Sequence, residues 1–98
     1  MTKADVVNVI AAETGFTKTD IAEVVEGFLG SIINALSRGE HIEIRGFGTF
    51  KTVRRAPRIA RNPRKGEVIK ISARNLPVFQ PSKELRVLVE KKLPIKES

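Results

Sequence analysis

The sequence predicts an α+β fold, with two N-terminal helices, an antiparallel sheet that carries a protruding two-stranded arm, and a short C-terminal helix. Three observations predict it. Apolar residues recur at helical spacing up to residue 39, alternate with a period of two in the following stretch, and return to helical spacing near the end. Because a chain of 98 residues can bury only a modest core by itself, we also expect help from a partner chain.

The first helix is predicted from its two ends. Thr2 followed by Asp5 resembles a capping box, because a hydroxyl accepts from a free backbone N–H and an acid favours the positive end of a helix. Gly15 is typical of a left-handed helix stop. The apolar positions between them are Val6, Val7, Ile10 and Ala11.

The second helix carries a wide apolar stripe. Thr17 with Asp20 repeats the start signal, and Gly39 ends the pattern. The stripe consists of Ile21, Val24, Val25, Phe28, Leu29, Ile32, Ile33 and Leu36. Gly27 and Gly30 each cost about 1 kcal/mol relative to Ala, so packing must hold this helix together. Either the glycines allow another backbone to approach closely, or they are tolerated surface positions.

A hairpin follows in HIEIRGFGTFKTV, residues 41–53. Ile42 and Ile44 alternate with polar residues, Gly46-Phe47-Gly48 form a turn, and Phe50 lies in the second strand. Val78, Phe79 and Pro81 complete the sheet, and Ser82 caps a third helix with Leu85, Leu88 and Val89 on its apolar face. One domain, 1–98, is therefore predicted, with a helical part at 1–39, a sheet at 40–81, a helix at 82–93 that Pro94 ends, and a tail at 94–98.

Residues 54–74, RRAPRIARNPRKGEVIKISAR, predict the arm, with a turn at 62–66. Because side chains alternate faces along a strand, we expect Arg55 and Arg61 to point one way and Arg54, Arg58 and Arg64 to point the other. Both faces of this ribbon are then cationic. Because neither face suits a core, we expect the ribbon to project from the body.

The charge of the chain is concentrated in this arm. The formal net charge is +7, and residues 1–50 contain four cations and seven anions, a net −3. Residues 51–70 contain eight cations and one anion, a net +7, and residues 71–98 contain six cations and three anions, a net +3. Clustered positive charge of this kind favours a polyanionic partner, because it releases condensed counterions when it meets phosphates.

Other classes of protein lack support in the sequence. There is no Cys for a disulfide framework, a thiolate nucleophile or a Cys-based zinc site. The N-terminus MTKADVVNVI is too polar for a signal peptide, and no stretch has the length of a membrane span, so we expect a cytoplasmic protein. With the single histidine His41 and no phosphate-cradling loop, neither an enzyme nor a cofactor is expected.

A ribbon about as wide as a DNA groove, with Arg on both faces, can lie in that groove and reach phosphates on either wall. The alternative for such a charged stretch is a solvated, disordered loop. Pro63 at the tip suits partial insertion between bases, but proline is also common as a plain turn residue. A protein that binds duplex RNA or the ribosome is the alternative function, since no aromatic residue for stacking on single strands lies among the cations of the arm.

The stretch GFGTFKTVRRAPRIARNP, Gly46 to Pro63, resembles the signature of the bacterial histone-like HU and integration host factor proteins. Those proteins are themselves standard examples of minor-groove binders that insert apolar wedges. The resemblance implies an intertwined dimer that is not catalytic and that bends and compacts duplex DNA in the nucleoid. By the same resemblance two arms clasp the minor groove, and Pro63 of each arm intercalates at a kink.

Candidate site residues follow from the charge pattern and from this resemblance. Those expected to contact DNA are Arg54, Arg55, Arg58, Arg61, Asn62, Pro63, Arg64, Lys65, Lys70, Arg74, Lys3, Arg45, Lys83 and Arg86. Those expected in the dimer core are Val25, Phe28, Leu29, Ile32, Leu36, Ile44, Phe47, Phe50 and Phe79. Lys3 and Lys83 are also consistent with ordinary solvated lysines, and the apolar set is also consistent with the core of a single chain.

Two features depart from the HU pattern. Ala60 stands where the family commonly has Gly, which should stiffen the backbone just before the tip. IEIRGFG is more similar to the beta subunit of integration host factor, in which the positions matching Glu43 and Arg45 take part in site recognition. A sequence preference and an ordinary surface pair both remain open for these two residues. We expect a homodimer, with a heterodimer of paralogues as the alternative.

Overall fold

The computed structural model describes residues 1–96 and contains three helices and five strands within them. Their bounds are α1 Lys3–Thr14, α2 Lys18–Ser37, β1 Ile42–Ile44, β2 Gly48–Arg55, β3 Arg58–Arg61, β4 Val68–Ile71, β5 Arg74–Pro81 and α3 Lys83–Lys92. The predicted α+β class and order of elements are confirmed. The last two residues of the predicted tail, 97 and 98, lie outside the described part.

The helices begin where their capping residues predict. The Thr2 hydroxyl accepts from the backbone N–H of Asp5 at 3.2 Å, and the Asp5 carboxylate accepts from the N–H of Thr2 at 2.8 Å. Gly15 follows α1 with φ of 79°, in the left-handed region where a side chain would be strained. Thr17 caps α2 by accepting from the N–H of Asp20 at 3.2 Å. Local hydrogen bonding therefore fixes the start of both helices.

The body sheet has the strand order β1-β2-β5, all antiparallel. Its register places Phe50 between Ile42 on β1 and Phe79 on β5. The rings of Phe47, Phe50 and Phe79 form a cluster with centroids 4.8 to 6.5 Å apart. A Cβ on Gly48 would lie 2.5 Å from the Phe79 ring, so the cluster itself requires glycine at the start of β2.

Ser82 joins α3 to the sheet. Its hydroxyl oxygen accepts from the backbone N–H of Leu85 at 3.1 Å, and its O–H donates to the carbonyl of Gly46 at 3.0 Å. One side chain therefore both caps the helix and holds it against the turn between β1 and β2. The helix ends at Lys92, two residues before Pro94, as predicted.

One chain buries very little apolar surface. Its buried apolar residues are Val7, Ile21, Ile32 and Ala35, which lie where α1 packs on α2 and where α2 faces the sheet. The accessible surface is 8606 Å², whereas a compact monomer of this mass exposes about 5,600 Å². A single chain therefore exposes much more surface than a compact monomer of the same mass would, which is consistent with a core that is completed by a partner chain.

The residues predicted for the dimer core divide into three groups in the single chain. Ile32 is already buried, and Val25, Leu36, Ile44 and Phe50 are half-buried. Phe28, Leu29, Phe47 and Phe79 remain between 38 and 50% exposed. The wide stripe on α2 thus has one part that faces its own chain, while Phe28 and Leu29 stay available to a partner. Their role in a dimer stays a prediction.

The molecule is elongated. Its radius of gyration is 19.1 Å, compared with about 13 Å for a compact chain of about 100 residues. Strands β3 and β4 form a separate two-stranded sheet and make their contacts mainly with each other. We refer to residues 58–71 as the arm, and to residues 1–55 and 74–96 as the base. Within residues 1–96, no helix combines the length and the apolar character needed to cross a membrane.

Candidate nucleic-acid interface

The arm is an ordered antiparallel ribbon. Its register pairs Arg58 with Ile71, Ala60 with Ile69 and Arg61 with Val68. Arg58, Arg61 and Lys70 are exposed. Because the two strands make their contacts mainly with each other, the ribbon leaves both of its faces open to a large partner, as the charge pattern predicts.

Two residues on each strand interrupt the ladder between base and arm. Arg55 pairs with Arg74 on the last pair of the body sheet, and the next pair is Arg58 with Ile71. Between them, residues 56–57 and 72–73 belong to no strand. Pro57 contributes to the gap because it has no backbone N–H to donate. Arg54, Arg55 and Arg74, which the sequence places in the arm, therefore lie on the body sheet.

The alternation of side chains predicted for an unbroken ribbon cannot be carried across this interruption. Arg55 and Arg58, which the sequence places on opposite faces, both line one concavity at the arm root. Strict alternation holds only while the ladder is continuous, and the ladder stops between these two residues. Within β3 the rule still applies, so Arg58 and Arg61 lie on opposite faces of the arm.

The tip of the arm is organised by Asn62. Its backbone N–H donates to the carbonyl of Glu67 at 2.9 Å, and its own carbonyl accepts from the N–H of Gly66 at 2.8 Å. Its side-chain oxygen accepts from the N–H of Arg64 at 2.9 Å. Gly66 has φ of 66°, which permits the turn to close. Pro63 is exposed on the outside of this turn.

Ala60 lies in a regular part of the arm. No residue other than glycine has a positive φ within residues 1–96, and Ala60 is paired with Ile69. The backbone therefore does not need glycine at this position. Because Ala has less conformational freedom than Gly in the unfolded chain, it favours the extended strand before the tip.

The other candidate cations lie on the base. Lys3 forms an ion pair with Glu26 that links α1 to α2. Lys83 and Arg86 are exposed on α3, and Arg45 is exposed beside β1. Lys3 must therefore exchange its carboxylate partner for a phosphate if it is to contact DNA.

Lys51 is a candidate that the sequence reasoning missed. It lies on β2 with Val53 and Arg55 on the same face, since residues two apart on one strand share a face. Its ammonium group donates to the side-chain oxygen of Gln80 at 2.7 Å. The even spacing between Lys51 and Arg55 would have indicated that both lie on one face of a strand. Lys51 was missed because it lies outside the arginine-rich stretch from which the arm was predicted.

Glu43 and Arg45 line one shallow groove with residues of β2 and β5. The register places Glu43 next to Thr49, and Thr49 next to Gln80, in one row across the sheet. These side chains could donate or accept hydrogen bonds at a base edge. A role in sequence preference stays a prediction.

Comparisons with known proteins agree with this geometry. The family model described as "Bacterial DNA-binding protein" matches residues 1–90. The chain is 44% identical to the integration host factor subunit alpha of Anaeromyxobacter sp. (strain Fw109-5), over 88% of this chain and 87% of that protein. It is 42% identical to the integration host factor subunit beta of Marinomonas sp. (strain MWYL1), over 91% of this chain and 88% of that protein.

Solved structures give the same result. A cocrystal structure of HU and DNA from Anabaena has a TM-score of 0.84 and 34% identity, covering 97% of this chain and 100% of that one. HU from Thermotoga maritima has a TM-score of 0.66 and 27% identity, covering 91% of this chain and 98% of that one. None of these matches supports the duplex-RNA alternative. The chain therefore belongs to the bacterial DNA-binding protein family of HU and integration host factor, whose members are dimeric, non-catalytic architectural proteins that bind double-stranded DNA.

Proposed function

We propose that two copies of this chain clasp duplex DNA between their arms and bend it, with Pro63 of each arm inserted between neighbouring base pairs. The family supports the binding of double-stranded DNA. The residue assignments are our own. They place the wedge at the tip of the arm, phosphate contacts along the arm and its root, and the dimer contact on the exposed apolar surface of the base.

The observation that carries the proposal is the ordered tip. Asn62 makes three hydrogen bonds across the turn, to Arg64, Gly66 and Glu67, and Pro63 stays exposed beyond them. Insertion of a wedge unstacks two neighbouring base pairs, which costs a few kcal/mol per base step, so the wedge must be held rigidly. A proline ring has no side-chain torsion to lose, and here its backbone is held from both sides. A solvated, disordered loop would lack these hydrogen bonds.

Phosphate contacts should supply most of the binding energy. Arg58, Arg61 and Lys70 are exposed on the arm, and Arg55 and Arg74 lie at its root. Neither of the two ion pairs within residues 1–96, Lys3–Glu26 and Arg38–Glu40, uses an arm residue. The arm cations are therefore free to neutralise phosphates, and their contribution should weaken as salt rises.

The exposed apolar surface of the base supports self-pairing of the chain. Phe28 and Phe79 are 50% and 38% exposed in one chain, and a partner of the same sequence offers a matching apolar surface. The similar identities to an alpha and a beta subunit, 44% and 42%, leave no preference for one role of a heterodimer. We therefore propose a homodimer, which also supplies the two arms that a clasp requires.

The test of the wedge is Pro63→Ala, measured by the change in end-to-end distance of a doubly labelled duplex when protein binds. The bend should decrease clearly, while affinity falls by less than about tenfold, because the phosphate contacts remain. Pro94→Ala, at the end of α3, is the matched control and should leave both quantities unchanged. An unchanged bend angle in the Pro63 variant would remove the wedge from the proposal.

Competition between bent or nicked duplex DNA and duplex RNA tests the choice of nucleic acid. We expect the DNA to displace the RNA at equal concentration, since the proposed clasp acts through the minor groove of a deformable duplex. Preference for the RNA would contradict the proposed function.

A further inference from the structure

The outer edge of β4 contains no proline, unlike the edges of β3 and β5. Strand β5 includes Pro77 and Pro81, while Pro57 stands directly before β3 and Pro63 follows shortly after it. A proline has no N–H to offer to an added strand, so these two edges are closed along part of their length. The sequence of β4 is VIKI, which favours a strand and leaves its backbone open on the side away from β3.

The hydrogen-bond pattern of the arm shows which backbone groups this edge offers. Asn62 donates its N–H to the carbonyl of Glu67, across the ladder. In an antiparallel ladder, bonded pairs of this kind alternate with pairs whose N–H and C=O groups point away from each other. In the register of the arm, Val68 and Lys70 belong to the outward pairs. These two residues therefore present their N–H and carbonyl groups on the outer edge of β4.

The two faces of the ribbon beside this edge differ in chemistry. Cross-strand partners share a face, so Arg61 lies on the same face as its partner Val68, and Lys70 lies two residues further along that face. The two β4 residues on the opposite face are Ile69 and Ile71. Lys70 is exposed, and Ile69 is 46% exposed. A strand added to β4 would therefore meet positive charge on one face and apolar side chains on the other.

The charge of the arm decides which strand fits this edge. Residues 58–71 contain five cations and one anion, a net +4. The arm of a second copy carries the same charge, and like charges on neighbouring strands are unfavourable. A lysine in an edge strand opposes self-pairing for this reason. The same lysine attracts a strand that brings a carboxylate opposite it.

We propose that the outer edge of β4 binds an extended segment of a partner protein in which acidic and apolar residues alternate. The segment adds a third strand to the arm, and its backbone exchanges hydrogen bonds with Val68 and Lys70. Its carboxylates lie on the face of Lys70, and its apolar side chains lie on the face of Ile69 and Ile71. The inference goes beyond DNA binding and does not depend on the wedge at the tip of the arm.

The test uses the full-length protein and the synthetic peptide EVEVEV, blocked at both ends and titrated at constant ionic strength. The readout is backbone amide hydrogen exchange measured by NMR. Exchange at Val68 and Lys70 should slow as the peptide saturates the edge, because their N–H groups point outward and gain acceptors. Exchange at Ile69 and Ile71 should change little, because their N–H groups already point toward β3.

Two methylated peptides separate strand addition from attraction between charges. Residues that pair directly across a ladder share a face, so the glutamates of EVEVEV are the residues whose N–H groups point toward β4. Methylation of the backbone nitrogen of each glutamate should abolish the protection of Val68 and Lys70. Methylation at each valine changes the same number of nitrogens on the side away from β4, and it should leave the protection in place.

Proline substitutions on the two edges of the arm provide a matched pair. Val68→Pro removes an outward N–H from β4, and Ile59→Pro removes an outward N–H from β3, since Ile59 is the partner of Lys70. Loss of one hydrogen bond should raise the dissociation constant for EVEVEV about fivefold in Val68→Pro. Ile59→Pro should change it by less than about twofold, because the peptide does not lie on that edge.

Charge reversal tests the part that Lys70 has in selecting the partner. Lys70→Glu should bind the peptide KVKVKV more tightly than EVEVEV, since opposite charges favour cross-strand pairs. Lys65→Glu makes the same change of charge at the tip of the arm, outside β4. It should keep the preference for EVEVEV.

Three results would overturn the inference. Equal effects of the two methylated peptides, or equal effects of Lys70→Glu and Lys65→Glu, would mean that charge alone attracts the peptide. Protection of Val68 and Lys70 that rises with protein concentration in the absence of peptide would make a second copy the occupant of the edge. The amide spectrum shows whether each variant is folded, and the methylated peptides test the edge on the unchanged chain if a proline variant does not fold.

Discussion

The base and the arm belong to one short chain but differ in the charge of their exposed surface. The base exposes apolar side chains such as Phe28 and Ile33, at 50% and 63%, whereas the arm exposes five arginines and lysines together with Ile59, Val68 and Ile69. Burial against a partner would stabilise the base, and this contribution depends little on salt. Neutralisation by phosphates would stabilise the bound arm, and this contribution decreases steeply with salt. The base therefore lacks a partner for its apolar surface, whereas the arm lacks a partner for its positive charge.

The two regions also keep their order by different means. In the base, order depends on capped helices and on a cluster of three phenylalanines. In the arm, order depends on one ladder of paired strands and on the hydrogen bonds of Asn62. Substitutions should therefore separate stability and dimer formation from DNA binding.

Phe28→Ala should have the largest effect, and it should act on the dimer. Phe28 is 50% exposed on α2 in one chain, and truncation of a fully buried phenylalanine costs about 3–5 kcal/mol. The loss should appear as a lower thermal midpoint that depends more strongly on protein concentration, measured by circular dichroism and sedimentation equilibrium.

Phe16→Ala is the matched control for this prediction. Phe16 is 64% exposed at the connection between α1 and α2 and is absent from the predicted dimer core. It should change the midpoint much less. Equal effects of the two substitutions would show that the apolar face of α2 is ordinary surface.

Arg58→Ala combined with Arg61→Ala should affect binding and leave the base intact. Each arginine that neutralises a phosphate contributes about 0.9 to the slope of log K against log salt. A dimer that loses two such contacts per arm should therefore lose about 3.6 from that slope. Fluorescence anisotropy with several unrelated duplexes should show similar weakening for all of them.

Lys91→Ala combined with Lys92→Ala removes the same charge from the end of α3 and serves as the control. These two lysines lie outside the predicted DNA contacts, so the slope should change less. If the arm variant weakened binding to one sequence alone, phosphate contact by Arg58 and Arg61 would be excluded. Its thermal midpoint should stay close to that of the wild type, because β3 and β4 make their contacts mainly with each other.

Ser82→Ala should have the reverse effect, on stability and not on binding. It removes the cap of α3 and the hydrogen bond to Gly46, and caps contribute about 1 kcal/mol. Urea unfolding should show a loss of about 1–2 kcal/mol. Ser37→Ala removes a hydroxyl that bonds only within its own helix, so it should change stability by less than about 0.5 kcal/mol. Similar values for both variants would contradict the linking role of Ser82.

Local signals in the sequence were sufficient for most of the base. Thr2 with Asp5, Thr17 with Asp20 and Ser82 all form the predicted caps, because a cap is decided by neighbours within one helical turn. The turn at Gly46 was predictable for the same reason, since its φ of 80° favours glycine. These features depend on residues close together in the sequence.

The arm root could not be predicted in the same way. The break in the ladder between Arg55 and Arg58 depends on where two strands distant in the sequence stop pairing, which no local pattern reports. Pro57 was the available signal, because proline inside a strand commonly marks a break or an edge. Likewise, the division of the stripe on α2 between its own chain and a partner depends on how α1 and the sheet pack against it. Periodicity gives the width of a stripe but not what covers it.

Lys51 provides the smallest effect and the sharpest test of where the base ends and the DNA surface begins. It lies on the body sheet, but it shares a face with Arg55, so the proposed clasp extends to it. Lys51→Gln should lower the salt slope by up to about 1.8 per dimer, since each of two chains loses one phosphate contact at most. Lys18→Gln, at the start of α2, should leave the slope unchanged.

Gln80→Ala separates the charge of Lys51 from its position. The variant keeps the ammonium group of Lys51 but removes the oxygen that accepts its hydrogen bond at 2.7 Å. The salt slope should therefore stay unchanged. Affinity should fall by about twofold to threefold, because the lysine side chain is no longer ordered before DNA binds. A slope that falls in Gln80→Ala as much as in Lys51→Gln would mean that the lysine reaches phosphate only when Gln80 orients it. A slope unchanged in both variants would confine the DNA surface to the arm and its root.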